Sequence, residues 1–210
     1  MSERIESSFE KKLNYTTHGI GFILSCIGLF FLVNKSLTIQ KDFSLISSVI
    51  YGSSLSGMYL SSTLYHYFIE SRFSNFLQKI DHISIYLLIA GSYTPPLLLK
   101  LNYSLGSEIL IIIWSLAAIG IIHKMFFFQY YSKASLLIYL FMGWLIIIDF
   151  NSVLNVFSAD GITLMVSGGI FYTLGTIFYA RDKMKYNHVI WHVFVMAGSA
   201  CHYFLILGII

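Results

Sequence analysis

The sequence predicts an all-α fold: a polytopic bundle of seven membrane-spanning helices, with the N-terminus cytoplasmic and the C-terminus outside. Three observations carry this prediction. Of 210 residues, 57% are hydrophobic and only 11% are charged, against about 25% charged in an ordinary soluble domain. The apolar residues form long continuous runs rather than alternating ones, and mean hydropathy is +0.74. The basic residues are unevenly divided between the ends of those runs. The composition excludes a soluble globule, which must clothe a large surface in polar groups. It also excludes a disordered chain, which needs low hydrophobicity and high charge.

A helix needs about 20 apolar residues to cross a hydrocarbon core of roughly 30 Å, and seven stretches qualify. The first covers about 17–34, and the second about 43–69, ending SSTLYHYFI. The third, about 80–100, holds the pair Pro95-Pro96, which frees backbone carbonyls and should kink it. The fourth is about 105–123, the fifth about 134–153, the sixth about 161–180 and the seventh about 187–210. Backbone polar groups in lipid must be satisfied internally, which leaves helices or barrel strands. These runs are too long and too uniform for barrel strands. Ser53, Gly57 and Ser61 make a small-residue stripe on the second helix, a close-packing face expected to meet another helix of the bundle. Residues 1–16 form a polar cytoplasmic segment with no cleavable signal pattern. Its Ile5, Phe9 and Leu13 suit either a short interfacial helix or a frayed tail. The transmembrane domain is expected to cover 17–210.

Orientation follows from lysine and arginine. Arg4, Lys11, Lys12, Arg72, Lys79, Lys124, Lys133, Arg181, Lys183 and Lys185 fall on one side, and only Lys35, Lys41 and Lys100 on the other. Ten against three puts the N-terminus in the cytoplasm. Cys26 and Cys201 lie in apolar runs and form no metal or disulfide pattern. A net charge of +3 gives no argument for nucleic acid.

Ionisable residues inside a membrane are costly and are functional candidates by default. His66 lies about one turn from the cytoplasmic end of the second helix, Asp81 opens the third, and His188 and His192 open the seventh. The motif HVIWH puts two imidazoles at i, i+4 on one helix face, where they can grip one metal ion. No glutamate stands beside the first histidine, so a general base has to come from elsewhere, and Asp81 is the obvious supplier. With His66 as a third nitrogen, three ligands leave a fourth tetrahedral position for water, the layout of a catalytic zinc site. Zinc lowers the pKa of such a water to about 7. Ser62, four residues before His66, lies on the same face and can hydrogen-bond water, ligand or oxyanion. The bland alternative is that these histidines only reach for headgroups.

The segments SSTLYHYF, KIDHISIYLLIAGSYTPPLL, YLFMGW, GGIFYTLGTIFYA and NHVIWHVFVMAGSACHYFLI resemble bacterial hemolysin III proteins. That group stands with the progestin and adipoQ receptors and, more distantly, with the alkaline ceramidases. The resemblance runs from about Tyr15 to the end. It implies zinc held by His66, His188 and His192, with Asp81 and Ser62 acting around a water at the metal. It also implies a multi-pass protein of a bacterial plasma membrane, embedded in the lipid bilayer, with a lipid or acyl chain held within the bundle. The animal receptors carry a longer N-terminal region, so a hormone-receptor role does not carry over.

The leading expectation is a zinc-dependent hydrolase of a lipid amide or ester. The alternative is a pore-forming cytolysin, or a regulator of membrane state with structural zinc. Ion transport through Asp149 and Asp81 is weaker, since no polar chain joins them. His82 points about 100° away from Asp81 on its helix. His18 and His123 read as headgroup-level residues. His202 sits about 21 Å further along its helix than His188, too far to join it, and is expected to hydrogen-bond within the bundle. Trp114, Trp144 and Trp191 require no special role.

Overall fold

The computed structural model describes the backbone of residues 6–127 and 132–210 and the side chains of residues 6–126 and 135–210. Arg4 and Ile5, used above for orientation and for an interfacial face, lie outside the described residues, as does the side chain of Lys133. Every regular element among the described residues is helical. In order these are α1 (Ser8–Ile39), α2 (Ser44–Tyr67), α3 (Ser74–Leu99), α4 (Gly106–Phe127), α5 (Ser132–Gly143), a 3-10 segment (Leu145–Asp149), α6 (Phe150–Val156), α7 (Ala159–Tyr179) and α8 (Asn187–Ile209). α1 begins well before residue 17, closed by a reciprocal capping box in which Ser7 and Glu10 satisfy each other's backbone N–H.

Among the described residues, six stretches are long and apolar enough to cross a membrane: α1, α3, most of α4, α7, α8, and the run Ser135–Val156 that joins α5, the 3-10 segment and α6. α2 matches them in length at 24 residues but carries eight serines. It is sandwiched between α1 and α3. Several of its hydroxyls are returned to its own backbone or to neighbours: Ser54 donates to the Tyr51 carbonyl at 2.8 Å, and Ser61 reaches Ser84 of α3 at the same distance, while those of Ser44, Ser47 and Ser56 have no partner among the described residues. α1 also packs on α8 and α3 on α8, so the first and last helices close the bundle around α3.

The lone basic residues of the opposite end have structural work. Lys35 donates to the Leu207 carbonyl at 2.6 Å, and Lys41 to the Leu99 carbonyl at 3.3 Å. Each ammonium thus serves the carbonyl-rich C-terminus of a neighbouring helix. Asp149 accepts from the Leu105 N–H at 3.2 Å, just before α4, and from Ser152 at 2.6 Å. It is a packed cap for the turn before α4. Lys124 is no loop residue: it lies inside α4, is buried, and sits 3.4 Å from His82 Nδ1. α3 runs through Pro95 and Pro96 as one helix, with the pair in its last five residues, so the i−4 bonds lost are confined to its final turns.

The close-packing face of α2 is one residue away from the expected stripe. Ser53 and Gly57 are exposed, and a side chain at Gly57 would meet nothing within 4 Å. Gly52 instead lies against Leu29 of α1, where a methyl group would run into the leucine. Gly52→Ala is therefore expected to destabilise by about 1–3 kcal/mol through overpacking. Gly57→Ala should be neutral or slightly stabilising, since alanine is favoured in a helix by about 1 kcal/mol. Thermal unfolding midpoints in detergent compare the two; equal midpoints would contradict this packing.

Candidate metal centre

Four helix ends meet at one end of the bundle: the N-terminal turns of α1, the C-terminus of α2 and the N-termini of α3 and α8. His66 is the second-last residue of α2, and His188 the second residue of α8. Their Nε2 atoms stand 3.1 Å apart. His192, one turn further along α8, presents its ring edge-on to both. One nitrogen from each of the three rings falls within 4.8 Å of the others, and the three could hold a metal ion. Two nitrogens on a tetrahedral zinc are about 3.3 Å apart, so the observed pair is close to that spacing. The donor chemistry fits too, since neutral imidazole is a common zinc ligand. No fourth donor joins this group among the described residues.

The orientation of His192 is set by α1. Its Nδ1 lies 3.1 Å from Thr17 Oγ1. The threonine hydrogen has carbonyl acceptors at Leu13, 2.9 Å, and Asn14, 3.0 Å. Thr17 oxygen therefore accepts from Nδ1–H, which leaves the Nε2 lone pair of His192 for a ligand role. His18 stacks on the His192 ring with centroids 3.5 Å apart and meets Tyr59 edge-on at 5.1 Å. It is buried, and neither ring nitrogen has a hydrogen-bond partner among the described residues. His18 is thus part of the site's wall, not a headgroup-level residue.

Glu10 fixes α1 against α8. One carboxylate oxygen closes the cap of α1, and the other accepts from the Tyr186 N–H at 2.7 Å. Tyr186 precedes α8 with φ 59°, a left-handed conformation unfavourable for a residue with a side chain. The buried carboxylate helps hold that turn and so sets where His188 begins. Lys11 adds an exposed pair to Glu70 at 2.6 Å, on the turn between α2 and α3. Sequence reasoning missed Glu10, Asn14 and Thr17. Only the polar spacing of Glu10, Asn14, Thr17 and His18, at helical intervals on a helix bound for lipid, could have signalled them.

Asp81 lies two turns into α3, buried, with Ser62 as a hydrogen-bond neighbour. Both face a cavity of about 510 Å³ that His188 and His192 also line. His66 adjoins it through His188. His82 borders the same cavity but is turned toward Lys124 and stays outside the three-ring group. The cavity runs along α8 past Ile85, Leu88 and Val195 to Trp144 and His202. His202 is turned toward the Met165 carbonyl, 3.4 Å from Nε2.

Thr17→Val keeps the volume and removes the acceptor for His192. Outer-shell losses of this kind cost about 10–100-fold in metal affinity. Chelator competition on the purified protein reads that change, and an unaltered affinity would show that Thr17 does not orient the ring.

The family model described as haemolysin-III related matches residues 8–203. A hemolysin-3 homolog from Bacillus subtilis is 43% identical over 198 residues, covering 94% of this chain and 93% of the relative. Hemolysin-3 from Bacillus cereus is 42% identical, covering 94% and 90%. The human monocyte to macrophage differentiation factor is 31% identical over 206 residues, covering 94% and 83%. The matched span takes in His66, Asp81, His188 and His192 together with Thr17 and His18, and this integral membrane protein belongs to the haemolysin-III-related family.

Proposed function

We infer that the protein is a zinc-dependent hydrolase of a lipid amide or ester, with its site at the cytoplasmic end of seven spans. The observation that carries this reading is the junction of two things in one cavity. Three imidazoles, with no fourth donor in their group among the described residues, stand at one end beside a buried carboxyl and a hydroxyl, and a largely apolar chamber runs away from them. A closed four-ligand site would favour a structural metal; this group leaves a position free.

His66, His188 and His192 would hold the zinc, which supplies Lewis acidity toward a carbonyl oxygen and toward a water. The chain's own residues do the rest. Asp81 accepts a proton from the attacking water and returns it to the leaving nitrogen or oxygen. Ser62, beside Asp81, orients that water or donates to the developing oxyanion. Thr17 and His18 keep His192 from rotating. The apolar walls exclude bulk water and take the acyl chain, which enters from the bilayer.

The names of the two Bacillus relatives suggest a second reading, a cytolysin. The cavity mixes Ile85, Leu88 and Val195 with Ser92, Thr173 and Thr176, and no observation favours this reading over the hydrolase. A regulator of membrane state with structural zinc would leave Asp81 idle.

Two substitutions separate these readings. His192→Ala should strip the metal, and one zinc per chain in that variant would sink the three-histidine site. Asp81→Asn should retain zinc yet lose about 100-fold or more of any fatty-acid release from ceramide-like lipids. Wild type that carries zinc and releases nothing from a broad lipid panel, while leaking dye from vesicles, would favour the cytolysin. For orientation, alkaline phosphatase fused after Ile210 should be active and the N-terminal fusion inactive.

A further inference from the structure

The main cavity ends at a partition, and a second, smaller cavity of about 60 Å³ lies beyond it. The two share Ser92, Tyr93, Gly143, Trp144, Gly169 and His202. Three of these carry rings at the junction of the two cavities, Tyr93, Trp144 and His202. The second cavity continues between Pro96, Val166 and Leu205 toward the opposite end of the bundle.

The rings of Trp144 and His202 are held by particular local structure. The fifth span stops being α-helical at Gly143, and a 3-10 segment begins after Trp144. A break in lipid leaves backbone groups to be satisfied. Tyr93 satisfies two: its hydroxyl donates to the Gly143 carbonyl at 2.9 Å and accepts from the Ile146 N–H at 3.1 Å. Trp144 is tied across the cavity by its indole N–H, which donates to Thr173 at 3.0 Å. Consecutive glycines on α7 make room for the pair. A side chain at Gly169 would meet the Trp144 ring at 3.2 Å, and one at Gly168 would collide with His202. The break, the tyrosine brace and the double glycine thus converge on one feature, a floor across the chamber.

We propose that Trp144 and His202 set the length of the acyl chain that the cavity accepts. This rests on the reading of the cavity as an acyl-chain site. From His192 and His188 to His202 is 10–14 residues of α8, or about 15–21 Å, the reach of an extended chain of about 12–16 carbons. Longer chains meet the two rings. Removing the imidazole opens the floor and joins the small cavity to the large one. Each further methylene that is buried then gains about fourfold in affinity until the added space is full.

The test uses the purified full-length protein with its metal and a ladder of saturated fatty acids as probes, with binding read by native mass spectrometry and by thermal shift. Wild type should show an optimum length beyond which affinity falls. His202→Ala should move that optimum up by about two to four carbons and leave affinity for shorter acids within about twofold. Adding Val166→Phe, which fills the second cavity, should restore the original optimum, a rescue that a folding defect cannot imitate. Should His202→Ala fail to fold, Trp144→Phe shortens the other ring and carries the same expectation. A folded variant with an unchanged optimum would overturn the floor and leave the acyl-chain reading standing. Wild type that binds no acid at any length would overturn the acyl-chain reading, and the floor with it.

Discussion

A polar group in hydrocarbon has no water to fall back on, and each one left unpaired costs several kcal/mol. That constraint governs the bundle at every level. It is met at several of the eight serines of α2: Ser48, Ser54 and Ser61 pair their hydroxyls with a carbonyl or a neighbouring hydroxyl. It explains why Lys35 and Lys41 end on helix C-termini and why Asp149 is spent on the turn before α4. It also explains why the helix break after Gly143 coincides with Tyr93, whose single hydroxyl answers both a carbonyl and an N–H.

The histidine cluster is where unpaired groups gather around one point. His18 is buried with both nitrogens unpartnered among the described residues, and the Nε2 atoms of His66 and His188 face each other at 3.1 Å. Two imidazole nitrogens that meet in this way must share a proton or turn their lone pairs to a common cation. The same region holds Asp81 and Ser62. A cluster of this kind is expensive to keep in a membrane unless it is used, and the three-ring geometry offers the use.

The organisation around the cluster is directional. α1 acts as a brace: Glu10 holds the turn at Tyr186, Thr17 holds one nitrogen of His192, and His18 lies flat on its ring. The cavity departs on the other side, between α3, α5, α7 and α8. α3 and α8 serve both parts: α3 carries Asp81 and Leu88, and α8 carries His188 and His192 as well as Val195 and His202, so the site and the chamber share one scaffold.

Much of this was legible in the residues. Long apolar runs with scarce charge demand helices in lipid, because backbone bonds must close within each segment. The i, i+4 pair His188 and His192 shares a face by helix geometry alone, and Ser62 and His66 do so for the same reason. Asp81 stood out because a carboxylate there is costly. The sequence could not show the partners chosen across helices. Ser53 and Gly57 read as a packing stripe, yet Gly52 makes the close contact, since rotation of a helix about its axis depends on its neighbours. His18 read as an interface residue, yet it is stacked and buried, because α1 begins at Ser8 and sets that turn inside the bundle. Glu10 and Thr17 left only a polar spacing along α1, and Tyr93 left no local signal. Their roles exist only where one helix meets another, and periodicity along one chain cannot report which groups tertiary packing leaves in need of a partner.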